Sequence, residues 1–187
     1  MDLEDDAIEG YQNILQEFKD NPEYAENSNH DIESICYDVR FSSSPTVRSL
    51  AIQTLGRIGA TREHESIETC LLNLENIDEN TTKYALVVAL IRLKNRNCSD
   101  RALALIDSLN WFEEWNFGGG LGGKEIINTI VASQNQDFLE FLHEAIKQRK
   151  WSSDDGSFRG FTEILGAINA FGNNESEEVI LSLLDSC

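Results

Sequence analysis

The glycine-rich stretch at residues 117–125, FGGGLGGKE, has the spacing of a phosphate-binding loop. It fits both G-x-x-x-x-G-K and G-x-G-x-x-G, whose backbone N–H groups cradle phosphate oxygens. A P-loop also needs Ser or Thr after its lysine, whereas Glu125 follows Lys124 here and would repel a phosphate. Both motifs need a preceding buried strand, but the segment around Trp111 and Trp115 indicates a short helix or loop. We therefore interpret the glycines as a joint between helices.

Other catalytic or metal-binding patterns are weak. The three histidines, His30, His64 and His143, lie on different predicted helices. His143 occupies an apolar register position, which predicts a hydrogen-bonded histidine in the core. The chain has no G-x-S-x-G signature of a nucleophilic serine, and its acidic residues match no calcium-binding loop. We expect a protein that is not an enzyme and that needs no metal and no cofactor.

The chain is strongly acidic, with 33 Asp and Glu residues against 15 Lys and Arg residues and a formal net charge of −18. Such a charge repels nucleic acid and anionic membranes and favours basic protein partners. The length of 187 residues and the 41% hydrophobic content predict one globular domain over 1–187. We expect no nucleic-acid or membrane partner, and a monomer when no partner is bound.

The absence of targeting signals and the wide spacing of the cysteines predict a cytoplasmic protein. The N-terminal sequence MDLEDDAIEG lacks the basic and apolar regions of a signal peptide, and no apolar run approaches the length of a membrane span. The four cysteines lie far apart, with no C-x-x-C motif. We expect them to be reduced thiols; they are Cys36, Cys70, Cys98 and Cys187.

A helical repeat is the main pattern in the chain. Apolar residues recur at helical spacing and strand-like alternation is missing, which predicts an all-α fold. One set of apolar positions recurs at steps of 35, 37 and 41 residues, which predicts four helix-pair repeats over 44–187. The four sets are Leu55, Ile58, Ile67, Cys70, Leu71 and Leu74; Leu90, Leu93, Ala102, Leu105, Ile106 and Leu109; Ile127, Ile130, Leu139, Leu142, His143 and Ile146; and Ile168, Phe171, Ile180, Leu183, Leu184 and Cys187.

The segments around these repeats also follow helical rules. Residues 1–41 contain two amphipathic segments, which we interpret as a divergent capping pair, and residues 110–123 form an aromatic and glycine-rich insertion. Ser44 followed by Pro45 predicts a helix start, and Gly59 predicts a helix end. The apolar residues of the capping pair are Tyr11, Ile14, Leu15 and Phe18, then Ile32, Ile35, Cys36 and Val39.

The segment Ser44 to Ala60, SPTVRSLAIQTLGRIGA, resembles the first helix of a HEAT repeat of the phycobilisome-lyase type. The matching residues are Val47-Arg48, Ala51 and the Leu-Gly-Arg-Ile-Gly run at 55–59. The later repeats match only in their apolar pattern. The resemblance implies an α-solenoid of about five helix pairs in a right-handed superhelical stack. It also implies first helices on the convex side and second helices lining a concave face.

Acidic residues recur on the polar side of the second helices. The row that begins at Glu65 lies in the first helical turn, where an acid also interacts favourably with the helix dipole. The second row lies late in its helices, where the dipole disfavours acids, so helix stabilisation does not explain it. Solubility is one explanation, and a negative stripe for a basic partner, if second helices line a groove, is the other. The first row is Glu65, Asp100, Asp137 and Glu178, and the second is Asp107, Glu144 and Asp185.

Tryptophans cluster in the junctions between repeats. Trp111 and Trp115 are four residues apart, and Trp151 lies in the next junction. Aromatic side chains of this kind either pack between repeats or anchor a protein partner at the groove edge. Both interpretations stay open, and we include the three tryptophans among the candidate partner-binding residues.

The sequence favours a protein-binding module. The specific hypothesis is a bacterial immunity protein that binds and neutralises a basic toxin domain, such as a nuclease, by occlusion. A small repeat array, the net charge of −18 and the acidic stripe motivate it. The first alternative is a general HEAT-repeat scaffold or adaptor. The second, implied by the resemblance, is a phycobilisome-lyase-like or chaperone-like protein.

Overall fold

A computed structural model describes residues 3–21, 23–24, 30–61, 65–75, 77–111, 122–148, 157–171 and 181. Every regular element in these ranges is helical, as the apolar periodicity predicts. The helices are α1 Leu3–Asp20, α2 Ile32–Phe41, α3 Pro45–Thr61, α4 Glu65–Leu72, α5 Asn80–Leu93, α6 Arg96–Ile106, α7 Gly123–Ser133, α8 Leu139–Gln148 and α9 Ser157–Phe171, with a 3-10 turn at Gln136–Phe138.

The chain forms two compact units, Met1–Leu109 and Asn110–Cys187. The boundary falls where the predicted insertion at 110–123 begins. In the first unit, α1 contacts α3 and α3 contacts α5, while α2 contacts α4 and α4 contacts α6. Helices α1 to α6 therefore form two rows, one of odd-numbered and one of even-numbered helices.

The predicted core positions are buried wherever the structure describes them, apart from a few half-buried residues. Ile67, Cys70, Leu71 and Leu74 of the first repeat are all buried, as are the corresponding residues Ala102, Ile106 and Leu109. His143 is also buried, as its register predicts. The half-buried members are Ile14, Leu15, Leu93 and Leu105.

The start of α3 follows the predicted capping pattern. Ser44 Oγ accepts a hydrogen bond from the backbone N–H of Val47 at 3.4 Å, and Pro45 is the first helical residue. Arg48 then donates from Nε to the carbonyl oxygen of Val39 at 3.3 Å. That bond ties the first turn of α3 to the end of α2.

The predicted helix end at Gly59 is wrong, because α3 continues to Thr61. Gly59 allows two helices to pack closely and does not end α3. A Cβ at residue 59 would collide with the Leu93 side chain of α5. A Cβ at Gly56 would lie 2.6 Å from Cβ of Ala89 and 2.7 Å from its Cα. Both glycines therefore let α3 approach α5 closely.

In the second unit, α9 contacts both α7 and α8. Gly122 precedes α7 with φ 141 and ψ −172, a conformation that only glycine adopts without strain. This residue agrees with the interpretation of the glycine stretch as a joint, while residues 112–121 lie outside the described ranges. Lys124 Nζ and Glu163 Oε1, 3.5 Å apart, link α7 to α9.

Within the described ranges, none of the helices combines the length and the hydrophobicity of a membrane-spanning segment.

Candidate functional site

The outward face of α2 carries two exposed aromatic side chains. Tyr37 is 64% exposed and Phe41 is 66% exposed, and they lie one helical turn apart. Their ring centroids are 4.8 Å apart with the planes at 47°. We call Tyr37 and Phe41 the aromatic pair. Two neighbouring exposed rings of this size are typical of a surface that binds another molecule.

The aromatic pair points outward because the opposite side of α2 packs into the core. Ile32, Ile35, Cys36 and Val39 form a buried stripe along this ten-residue helix. Asp31 caps the helix by accepting hydrogen bonds from the backbone N–H groups of residues 33 and 34. With the stripe packed inward and the N-terminus capped, residues two and six positions after Ile35 fall on the solvent side.

A cleft of about 470 Å³ lies between α2 and α4, and the aromatic pair lines it. Its charged lining groups are the carboxylates of Glu33 and Glu65 and the guanidinium of Arg40. We call this site the α2–α4 cleft. The other lining residues are Ile32, Cys36, Ser66 and Thr69. Apolar walls with a few polar groups are the usual composition of a binding site, and the two carboxylates favour a positively charged group on the ligand.

A smaller cleft of about 250 Å³ lies on the other side of α2, against α1. Within it, the Tyr11 hydroxyl donates a hydrogen bond of 2.6 Å to Asp38 Oδ2. Burial and this bond to Asp38 raise the pKa of Tyr11 well above its ordinary value. The phenol therefore stays protonated at neutral pH, and the bond holds α1 against α2.

Of the predicted acidic residues in the first unit, Glu65 lies in the α2–α4 cleft. Asp100 is exposed on α6 and forms an ion pair with Arg96, with Asp100 Oδ1 3.2 Å from Arg96 Nε. Asp107 is exposed at the C-terminal cap of the same helix, where its backbone N–H donates to the carbonyl oxygen of Leu103. These two acids do not line the cleft.

In the second unit, Asp137 is half-buried in the 3-10 turn, where its backbone N–H donates to Asn135 Oδ1 at 3.1 Å. Glu144 is exposed on α8 and pairs with Lys147, with 3.7 Å between Glu144 Oε1 and Lys147 Nζ. Glu144 thus has a local ion-pair partner, whereas the bond of Asp137 comes from its backbone and not from its carboxylate. Two further predicted acids, Glu178 and Asp185, lie outside the described residues.

Among the tryptophans, Trp111 is described and is only 7% exposed. Its ring packs on Phe141 of α8, with the centroids 5.3 Å apart. This arrangement corresponds to the packing interpretation of the junction aromatics, and a role of Trp111 in partner binding stays a prediction. Trp115 and Trp151 lie outside the described residues.

Sequence reasoning missed the aromatic pair because it searched for anchors among the tryptophans. A usable signal was present in the residues of α2. The core stripe Ile32, Ile35, Cys36 and Val39 was already assigned, and Tyr37 and Phe41 fall directly opposite it at 100° per residue. A helix with aromatic residues on the face opposite its core stripe predicts a second contact surface.

Within the described ranges, no group of three or more His, Cys, Asp or Glu residues is placed to hold a metal ion. Comparisons with protein-family models, with curated proteins and with solved structures found no match for this chain.

Proposed function

We propose that the protein is a non-enzymatic binding module that takes a basic segment of a partner protein into the α2–α4 cleft. The observation that carries this proposal is the exposed aromatic pair beside the carboxylates of Glu33 and Glu65. The net charge of −18 extends the same complementarity to the rest of the chain. The partner class that fits best is a basic toxin domain, and the protein is then its immunity protein.

The cleft suits a Lys or Arg side chain flanked by apolar residues. The faces of Tyr37 and Phe41 attract a cation through their ring quadrupoles, which contributes about 0.5–2 kcal/mol. Glu33 and Glu65 pair with the same cation or with its neighbour along the partner chain. Aromatic anchors at the centre and carboxylates at the rim are a common division of roles in protein interfaces. Neutralisation then follows from occlusion of the basic surface of the toxin.

We also propose that the two rows of helices in the first unit belong to an α-solenoid of the HEAT type. Successive contacts between alternate helices support this proposal. The close approach of α3 to α5 at Gly56 also supports it, since Gly56 is part of the segment that resembles a HEAT helix. In such an array, α2 and α4 are neighbouring second helices, which is where a binding groove is expected.

The immunity proposal is tested by co-expression with the product of the adjoining gene in a bacterial host. We expect that product to arrest growth alone and the present chain to restore growth. Titration calorimetry of the purified pair should give one-to-one binding that weakens as salt is raised, since charge steering is screened. A harmless neighbour, or a toxic one that the chain does not neutralise, contradicts the immunity proposal and favours a scaffold or adaptor.

Single substitutions test the cleft itself. We expect Phe41→Ala to weaken binding at least about tenfold, because truncation of an aromatic anchor removes about 2 kcal/mol. Glu65→Lys should also weaken binding and reduce its salt dependence. Glu9→Lys is the matched control, since Glu9 is exposed on α1 and lines neither cleft. Equal losses for Glu65→Lys and Glu9→Lys would show that net charge acts rather than the cleft.

A further inference from the structure

Two thiols meet beneath the α2–α4 cleft. Cys36 of α2 is 9% exposed and Cys70 of α4 is 1% exposed, and neither is in a disulfide. The Cys70 sulfur lies 4.0 Å from the carbonyl oxygen of Cys36, to which it can donate while it is protonated. This distance puts the Cys70 sulfur next to Cys36 on the neighbouring helix. We call Cys36 and Cys70 the thiol pair.

The surroundings make the two thiols unequal. The hydrogen bond from the Cys36 thiol, helped by the nearby Arg40 guanidinium, lowers the pKa of Cys70 despite its burial. The same hydrogen bond, together with burial, raises the pKa of Cys36. Thiolate character therefore concentrates on Cys70, with Cys36 as its hydrogen-bond donor. A thiolate held by a cation beside a second thiol is the arrangement in which cysteines react with oxidants.

A small oxidant has a route to this pair. Cys36 lines the α2–α4 cleft, together with the Arg40 side chain. Hydrogen peroxide is close to water in size, and the cleft volume of about 470 Å³ exceeds what it needs. Cys70 does not line the cleft and lies next to Cys36, so peroxide reaches its sulfur only by passing Cys36.

We propose that Cys36 and Cys70 form a redox-reactive pair that hydrogen peroxide converts into an intramolecular disulfide. The Cys70 thiolate attacks one peroxide oxygen, so that an S–O bond forms, the O–O bond breaks and hydroxide leaves. Cys36 then attacks the Cys70 sulfenic acid, so that an S–S bond forms, the S–O bond breaks and the oxygen leaves as water. In sum, two thiols lose two electrons and two protons, and one peroxide is reduced to two waters.

Cys98 provides an internal control for this proposal. It is 0% exposed on α6, and burial raises its pKa to about 11. A buried thiol with a raised pKa reacts slowly with oxidants, because the thiolate is the nucleophile. The proposal therefore predicts that peroxide oxidises Cys36 and Cys70 but leaves Cys98 reduced, although all three side chains are buried.

The test uses the full chain with Cys187→Ser, so that the C-terminal thiol forms no bridges. The folded protein is treated with hydrogen peroxide, quenched with N-ethylmaleimide under denaturing conditions and digested for peptide mass spectrometry. We expect the Cys36 and Cys70 peptides to be joined, with a mass lower by two hydrogen atoms, and Cys98 to be alkylated. Dithiothreitol should restore alkylation of all three. Alkylation of Cys36 and Cys70 at the same level as Cys98 after peroxide would overturn the proposal.

Single variants test the assigned order of attack. With Cys36→Ser, peroxide should leave a sulfenic acid on Cys70 that dimedone traps, and no disulfide should form. With Cys70→Ser, burial still disfavours the Cys36 thiolate, so dimedone should trap Cys36 more slowly than it traps Cys70 in the first variant. Equal trapping of Cys36 in the second variant would overturn the assignment of Cys70 as the attacking thiol. Peptide mapping of the unsubstituted pair keeps the main proposal testable even if a serine in the core unfolds the unit, and neither result depends on the identity of the partner.

Discussion

α5 and α2 belong to the same unit and use their side chains in opposite ways. α5 buries nine of its 14 residues, including the unbroken run from Tyr84 to Ile91. α2 buries four of its ten residues on one stripe and leaves the aromatic pair in solvent. A helix that is apolar all round is found in the interior, whereas a helix with one apolar stripe exposes its opposite face to solvent.

The contrast separates residues that hold the fold from residues that are available for recognition. Every side chain in the central run of α5 is buried, so a change there alters stability before anything else. The outer face of α2 is exposed, and burial does not explain its aromatic rings. Binding is that explanation in our proposal, and paired substitutions at interior and exterior sites test it.

The largest difference is expected between Leu86→Ala and Phe41→Ala. Leu86 is fully buried in α5, so its truncation should lower the free energy of unfolding by about 3–4 kcal/mol through lost burial and a cavity. Phe41→Ala removes a larger side chain, yet it should change stability by less than about 0.5 kcal/mol, because most of the ring is already in water. Urea denaturation followed by circular dichroism measures both. Similar losses would mean that the outer face of α2 supports the fold, and the binding argument would fail.

A smaller difference is expected between Gly56→Ala and Gly10→Ala. A methyl group at residue 56 meets the Ala89 backbone of α5 at 2.7 Å, and only separation of α3 from α5 can relieve it. The cost should be about 2 kcal/mol even after the better helix propensity of alanine is counted. Gly10 has no atom within 4 Å of its added methyl. Gly10→Ala should therefore raise the urea midpoint while Gly56→Ala lowers it, and a shift of the same sign in both would contradict close packing at Gly56.

Much of the core could be predicted from sequence, because buried residues recur at fixed helical positions. Ile67, Cys70, Leu71 and Leu74 were assigned from periodicity alone, and all four are buried. The polar side was predictable in the same way, since Glu65 and Asp107 are both exposed. These assignments needed only a register along one helix, which the order of apolar residues determines.

Contacts between helices were harder to predict, because they depend on which helices become neighbours. The meeting of Cys36 with Cys70 is an example, since each cysteine taken alone resembles an ordinary buried thiol. A displacement of 35 residues aligns Ile32, Ile35, Cys36 and Val39 with Ile67, Cys70, Leu71 and Leu74. That alignment places α2 and α4 in equivalent repeat positions and therefore side by side. Gly59 was misassigned for a related reason, since the need for a small residue comes from Leu93 on another helix.

The smallest difference is expected between Tyr11→Phe and Tyr37→Phe, which each remove one hydroxyl and keep the ring. The Tyr11 hydroxyl donates to Asp38 Oδ2 at 2.6 Å across the α1–α2 contact, so its loss should lower the free energy of unfolding by about 1 kcal/mol. The Tyr37 ring is mostly in water, and its hydroxyl should contribute almost nothing to the free energy of unfolding. Urea denaturation of the two variants therefore measures whether α2 is held by its inner edge alone. A loss for Tyr37→Phe as large as that for Tyr11→Phe would show that the outer face of α2 also has a structural partner, and the aromatic pair would no longer be free to receive a ligand.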